Sequence, residues 1–323
     1  MIRARIAGVG HHLPDRVVEN DWFATFLDTS DEWIRSRSGI ERRHFAAEGE
    51  LTSDLALRAA EAALADAGRT ADAVDAIVLA TSTPDLTFPA TATIVQQKLG
   101  MTRGFAFDVQ AVCAGFVFAM CNANALIVSG QARRVLVIGA ETFSRIMNWE
   151  DRTTCVLFGD GAGAVLLEAA GGTGTAADRG ILACDLHSDG RHREILQVSG
   201  GVSATQTTGH LMMAGKEVFR HAVEKLAAST LDVLARAGLS IDDVDRVVPH
   251  QANIRIIAKT AAKMRLPIEK VTVTVQDHGN TSAASIPLAM SVAKARGELS
   301  EGDLVVTEAI GGGLAWGAIA LRW

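Results

Sequence analysis

The chain has 323 residues, 48% hydrophobic and 21% charged, which is enough for a sizeable core and too many for one ordinary small domain. A net charge of −6 gives no basic character for nucleic-acid binding, and four cysteines without CxxC spacing form neither a disulfide framework nor a metal cluster. Thirty glycines against six prolines indicate tight turns between α/β units, not a disordered linker.

Residues 2–9 alternate as a strand, with Gly8, Gly10 and Pro14 marking its turn and no signal-peptide h-region before it. Thr29-Ser30-Asp31-Glu32 reads as a capping box for a short helix carrying Trp33, Arg35 and Arg37 and stopped by Gly39. Thr52-Ser53-Asp54 caps a helix to Ala67, and Val74–Ala80 follows as a buried strand. After the loop Thr81–Pro89 come a helix to about Leu99, a strand at Phe105–Val109 and an apolar helix at Ala114–Ser129, ended by Gly130. Asn122 and Asn124 interrupt the apolar stretch Ala111–Gly130, so it reads as a core helix and the chain as cytoplasmic, without a membrane span. Arg134–Gly139 is another strand, and Val156–Glu168, broken by Gly-Asp-Gly-Ala-Gly, reads as a strand pair. That glycine run lacks the GxGxxG spacing and following helix of a dinucleotide site.

The second half repeats the first at an offset of about 170 residues. Leu64–Gly68 recurs as Leu234–Gly238, Asp72–Asp75 as Asp242–Asp245, and Val135–Gly139 as Val305–Ala309. This indicates two similar α/β halves, 1–172 and 173–323, each with a mostly parallel sheet covered by helices.

Cys113 stands where the Phe105–Val109 strand gives way to the apolar helix, and small neighbours leave room for a substrate. Free N–H groups and the helix dipole there are expected to lower its pKa. Cys121, Cys155 and Cys184 suit the blander role of inert core thiols. Strand ends in the second half offer Pro249–Asn253 and Asp277–Ser282, where sites form in α/β sheets. Spacing alone leaves His250 and His278 as rivals. His187 and His192 flank a loop-like Ser-Asp-Gly.

DVQAVCAGF (108–116), VPHQANIRI (248–256) and DHGNTSAASIP (277–287), in that order, resemble the β-ketoacyl-acyl-carrier-protein synthase III family of condensing enzymes. TSDEWIRSRSGI, FGDGAGA, MAGKEVF and GGGLAWG extend the similarity over essentially the whole chain. The resemblance implies a thiolase-like α/β fold with five αβαβα layers, as a homodimer. It also implies acyl transfer from acyl-coenzyme A to Cys113, then decarboxylative condensation with malonyl-acyl-carrier protein to a 3-ketoacyl product, the start of fatty-acid synthesis. Cys113, His250 and Asn280 would be catalytic, with the N–H groups of Cys113 and Gly312 as oxyanion hole. Trp33 would stack on adenine with Arg152, Arg37 and Thr29 would reach the phosphates, and Gly215, Phe219, Ala252 and Asn253 would line the pantetheine channel. Phe88 would cross the dimer to close the acyl pocket, whose volume is expected to depend on Phe88, Trp149 and Ile310. No metal or redox cofactor is called for.

An acidic carrier protein needs a local basic patch. Lys216, Arg220, Arg255, Lys259 and Lys263 supply candidates, the last three at i, i+4 and i+8 on one helix face. Ala262, where the family often has lysine, weakens the patch by one charge. Two alternatives stand beside this reading: a related condensing enzyme of a polyketide or quinolone pathway, and a non-catalytic thiolase-fold partner subunit. A degradative thiolase needs a second cysteine, and none follows Cys184.

Overall fold

The computed structural model describes residues 1–323. Strand β1 (Ile2–His12) leads into the pair β2 (Arg16–Glu19) and β3 (Arg42–Phe45), which brackets helices α1 (Asn20–Ala24) and α2 (Asp31–Ser38). Next come α3 (Thr52–Asp66), β4 (Ala76–Ala80), α4 (Thr91–Lys98), β5 (Phe105–Val109), α5 (Gly115–Val128), β6 (Arg134–Glu141) and β7 (Gly161–Gly171). The later residues form β8 (Gly180–Ser188), β9 (Leu196–Val198), β10 (Leu211–Met213), α6 (Gly215–Arg236) and β11 (Arg246–Pro249). They end with α7 (Ile254–Lys263), α8 (Val275–His278), α9 (Ser285–Ala295), β12 (Leu304–Gly311) and β13 (Ala315–Arg322).

Two sheets organise these elements, in the orders β1-β7-β6-β4-β5 and β8-β13-β12-β11. The same pattern recurs in each, save that a single parallel bridge from Val247 to Val271 stands where a fifth strand would lie. The sheets are mixed, not mostly parallel: β6–β7, β7–β1, β12–β13 and β13–β8 are all antiparallel. The cause is connectivity, since β6 reaches β7, and β12 reaches β13, with no crossover α-helix between them.

Helices α5 and α9 lie between the sheets and are apolar nearly all round. Phe116, Met120, Ile286 and Met290 are buried there among Val137 and Val165 of one sheet and Val305 and Ile319 of the other. Helix α3 covers the outer face of the first sheet through Leu55, Ala59 and Ala63, with α4 beside it. On the outer face of the second, α6 and α7 bury Val233, Leu234 and Ile257 against Val247 and Val306. The result is five alternating layers, helix–sheet–helix–sheet–helix. Elements recur 170 residues apart: β6 with β12, and the left-handed Val112 (φ +50°) with Ser282 (φ +47°).

Three local expectations need correction. Val156–Glu168 is not a strand pair: the chain turns through Val156–Asp160 and enters the single strand β7. Ser30, not Thr29, caps α2, accepting the Trp33 N–H at 3.1 Å, while the Thr29 hydroxyl is buried without a partner. Leu51 caps α3, its N–H held by the Asp54 carboxylate at 2.9 Å, because the buried Thr52 hydroxyl donates to the Thr83 carbonyl at 2.6 Å. No helix is long and apolar enough to cross a membrane.

Candidate active site

The chain leaves β5 and tightens into a short turn of 3-10 helix, Val112–Ala114, before α5 begins. Upstream, the Asp108 carboxylate accepts the N–H groups of Thr91 and Ala92 at 2.7 and 2.8 Å, fixing β5 to the start of α4. Cys113 therefore sits at the foot of the middle layer, almost fully buried. The turn after β12 packs directly on it. A Cβ on Gly311 would stand 2.6 Å from the Ala111 oxygen and 2.7 Å from the Cys113 nitrogen, and one on Gly312 2.7 Å from the Leu196 oxygen. Only glycine lets these backbones approach so closely. Burial pushes the Cys113 thiol up to about 12, and the charge of Glu141 reinforces the rise. Desolvation therefore opposes the lowering expected from the helix terminus.

His250 follows β11, its own N–H donated to the Glu308 carbonyl of β12 at 2.8 Å. The ring nitrogen Nδ1 lies 2.6 Å from the Ser285 hydroxyl oxygen, which also accepts the Gln251 N–H at 3.3 Å. With that oxygen accepting from Gln251, its hydrogen goes to Nδ1, and the ring proton is assigned to Nε2. Burial drives His250 down to about 3, so the imidazole is neutral at physiological pH. Gln251 anchors the segment: its amide donates to Pro249 and Thr272 carbonyls and accepts from the N–H groups of Thr274 and Val275. His278 is also buried, but it does not line the cavity that holds Cys113. His250 does line it.

Asn280 is pinned by backbone bonds to Leu157 (2.8 Å) and Gly159 (3.0 Å), and its Oδ1 accepts the Ser282 N–H at 2.9 Å. That assignment leaves the Nδ2 hydrogens as donors for the cavity. Leu157–Gly159, read in sequence as strand, serves here as the shelf beneath Asn280.

Cys113, His250 and Asn280 line one cavity of about 590 Å³, together with the predicted Trp33, Arg37, Gly215, Phe219, Ala252 and Asn253. Ile310 also lines it, as do Lys216 and Arg255. Thr29, Arg152, Phe88 and Gly312 are not among its lining residues. Phe88 is 82% exposed on the protein surface. Trp149 is not among the cavity's lining residues either and packs edge-on against Trp22 and Phe45. Asn253 caps α7 and donates to the Arg37 carbonyl at 2.9 Å, so it ties α7 to α2 as well as lining the cavity. The guanidinium carbons of Arg37 and Arg152 lie 4.7 and 5.1 Å from the Trp33 ring centre. A purine between Trp33 and Arg152 needs roughly 7 Å, two van der Waals contacts, so Arg152 must swing off Asp28 to admit one.

Lys216, Arg220, Arg255, Lys259 and Lys263 are all exposed, and none forms a salt bridge. Ser285, Gln251, Glu141 and Ser282 are site residues that the sequence did not single out. Ser285 lies inside DHGNTSAASIP, yet nothing in the sequence pairs it with a histidine 35 positions earlier.

Comparison with known proteins adds the family. Residues 107–190 match the model described as 3-oxoacyl-[acyl-carrier-protein] synthase III, and residues 234–323 match the model for its C-terminal part. A β-ketoacyl-[acyl-carrier-protein] synthase III of Ruegeria pomeroyi is 74% identical over 321 residues, 99% of both chains. The crystal structure of 3-oxoacyl-(acyl carrier protein) synthase III from Pseudomonas aeruginosa, 45% identical, has a TM-score of 0.93 over 99% of this chain and 98% of that one. A priming β-ketosynthase of the R1128 polyketide pathway, 32% identical, has a TM-score of 0.92 over 99% and 96%. The five layers are those of the thiolase fold, and the chain belongs to the β-ketoacyl-[acyl-carrier-protein] synthase III family of acyltransferase condensing enzymes, which initiate fatty-acid synthesis.

Proposed function

We propose that Cys113 takes a short acyl group from an acyl-coenzyme A and that the acyl-cysteine then condenses with a malonyl-carrier protein. The observation that carries this reading is the convergence of Cys113, from one half, with His250 and Asn280, from the other, on one largely apolar cavity. A cysteine suits both steps, as attacking thiolate first and as leaving group later. In the first, the thioester carbonyl oxygen would lie against the N–H groups of Cys113 and Gly312; support comes from Gly311, the residue before, which packs against the Cys113 nitrogen. In the second, loss of CO₂ leaves an enolate whose oxygen gathers charge. The neutral Nε2–H of His250 and the Nδ2 hydrogens of Asn280 are fixed donors for it, in a water-poor site where such donors count most. Neither step moves electrons to a carrier or requires a metal.

The coenzyme A end is assigned to Trp33, Arg152, Arg37 and Thr29, and the pantetheine arm to Gly215, Phe219, Ala252 and Asn253. The unpaired Lys216, Arg220, Arg255, Lys259 and Lys263 form the docking surface for an acidic carrier protein. Strand β5 is the open edge of its sheet, with Phe105 40% exposed, which supports a homodimer across that edge. The halves 1–172 and 173–323 are read as two copies of one α/β unit, and the enzyme as cytoplasmic. A second reading, starter-unit loading in a polyketide pathway, draws on the 32% identical priming ketosynthase and uses the same residues. Labelled acetyl-coenzyme A should mark Cys113 and leave C113A unmarked, and normal labelling of C113A would end the proposal. A panel of acyl-coenzyme A starters separates the two pathways.

A further inference from the structure

The Asn280 side chain makes a single hydrogen bond, accepting the Ser282 N–H on Oδ1 at 2.9 Å. That bond decides which way the amide faces, because with Oδ1 engaged the Nδ2 hydrogens are left for the cavity. What holds Ser282 in place therefore holds Asn280. Ser282 is fully buried and left-handed, at φ +47°. A residue with a Cβ stays in that region only where its surroundings enforce it.

A contact from the other half of the chain supplies the restraint. The Ser282 hydroxyl donates to Glu141 Oε1 at 3.0 Å, and Oε1 has no other donor. Glu141 ends β6 and is fully buried. It is fixed in turn, since its Oε2 accepts from the Thr81 hydroxyl (3.2 Å), the Ser82 N–H (3.0 Å) and the Thr83 hydroxyl (2.7 Å). The Thr83 hydroxyl oxygen also accepts the Thr142 N–H at 2.9 Å, which locks the ends of β4 and β6 together. Neither Glu141 nor Ser282 lines the cavity, so neither acts on a substrate directly.

We propose that Glu141 and Ser282 are positioning residues for Asn280: the carboxylate grips the Ser282 hydroxyl, holds its backbone left-handed and so fixes the direction of the amide. The inference rests on the reading of Asn280 as a donor to the enolate. The linkage is mechanical. The peptide unit between Thr281 and Ser282 is a rigid plane, so Ser282 relaxes to negative φ by turning that plane, with Thr281 ψ (26°) changing in the opposite sense. The plane carries the Ser282 N–H, which then swings off Oδ1. The Asn280 backbone stays, pinned to Leu157 and Gly159, and only the aim of its amide is lost.

Two substitutions at one position separate this role from general packing. S282A keeps the Cβ and loses the hydroxyl, so the left-handed backbone loses its tether. S282G loses the hydroxyl as well, but glycine takes positive φ without steric cost and keeps the N–H aimed. CO₂ release from labelled malonyl-carrier protein should fall roughly 10- to 100-fold in S282A, the range for misplacing a donor without removing it. S282G should run at least about 5-fold faster than S282A, the population change that the ordinary left-handed penalty produces. In protein labelled with ¹⁵N-asparagine, the Asn280 side-chain amide signal, identified by its loss in N280A, should shift or broaden in S282A and return towards its native position in S282G. E141A should move the same signal, and E141A combined with S282A should move it no further. Equal defects in S282A and S282G, or an Asn280 signal that S282A leaves in place, overturn the proposal, and the Ser282 pair decides if E141A does not fold. N280A tests the enolate-donor reading separately: if it decarboxylates as the unchanged protein does, that reading fails while the amide signals still judge the positioning.

Discussion

Gly311 is where packing and catalysis meet most tightly, and Gly311→Ala tests both. Its Cβ would lie 2.6 Å from one backbone oxygen and 2.7 Å from the Cys113 amide nitrogen, where ordinary contact starts at 3.4 Å. Neither neighbour is a side chain that can rotate away. The turn must therefore retreat by several tenths of an ångström, and overpacking of this kind costs about 1–3 kcal/mol. That should lower Tm by roughly 2–6 °C in a chain of this size. Gly312 moves with the turn, separating the two proposed oxyanion donors. Since a displacement of about 1 Å can cost 100-fold, acylation of Cys113 should fall by roughly 30- to 100-fold. Malonyl decarboxylation, proposed to draw on His250 and Asn280, should fall less. The assay pairs acyl-enzyme by intact mass with CO₂ release from labelled malonyl-carrier protein. Native acylation at an unchanged Tm would refute the packing argument and the oxyanion assignment together.

Three further outcomes are expected. H250A and N280A should each lower decarboxylation by about 100-fold or more while acylation partly survives, and the reverse pattern would make His250 a base for Cys113. R255E should raise KM for malonyl-carrier protein far more than for acyl-coenzyme A, with a defect that shrinks at high salt; equal effects on both would remove Arg255 from carrier docking. Glu308, fully buried with only the Thr230 hydroxyl as side-chain donor, is lifted by burial from 4.5 to about 7. The folded state then holds a proton that the unfolded chain has lost, so this group's stabilisation is complete below pH 4.5 and fades as pH rises through 7. A glutamine side chain has nothing to ionise, so the Tm of E308Q minus that of the unchanged protein should grow from about pH 5 to about pH 8. A flat difference would refute it.

How much is legible in the sequence follows from what each residue depends on. The Cys113 turn can be read because strand, small residues and apolar helix are adjacent in the chain. The recurrence at 170 residues can be read because it repeats turn chemistry, which is local. The direction of β7 and β13 is not legible, because it depends on the absence of a crossover helix, a property of connections and not of strands. His250 and His278 look alike because both follow an apolar segment. Only packing shows that one enters the cavity and the other does not. Glu141 is invisible for the same reason: at the end of Val-Ile-Gly-Ala-Glu it reads as a strand terminus bound for solvent, and its partners come from residues 81–83 and 282. Trp149 stands back from the lining, and a tryptophan carries no mark in sequence of whether it will line a cavity or pack behind its wall.

The middle layer also has a consequence for synthesis. Helix α5 ends at Val128, but α9, which shares its layer, ends at Ala295, and the second sheet closes only with β13. At about 5–20 residues per second, a ribosome leaves one apolar flank of α5 uncovered for roughly 10–30 s. The nascent first half is therefore a sticky species for most of its time on the ribosome, a client for holding chaperones. A separately made 1–172 fragment should bind a hydrophobic dye until 173–323 is supplied, and a dye-silent, monomeric fragment would show that the first half hides this face unaided.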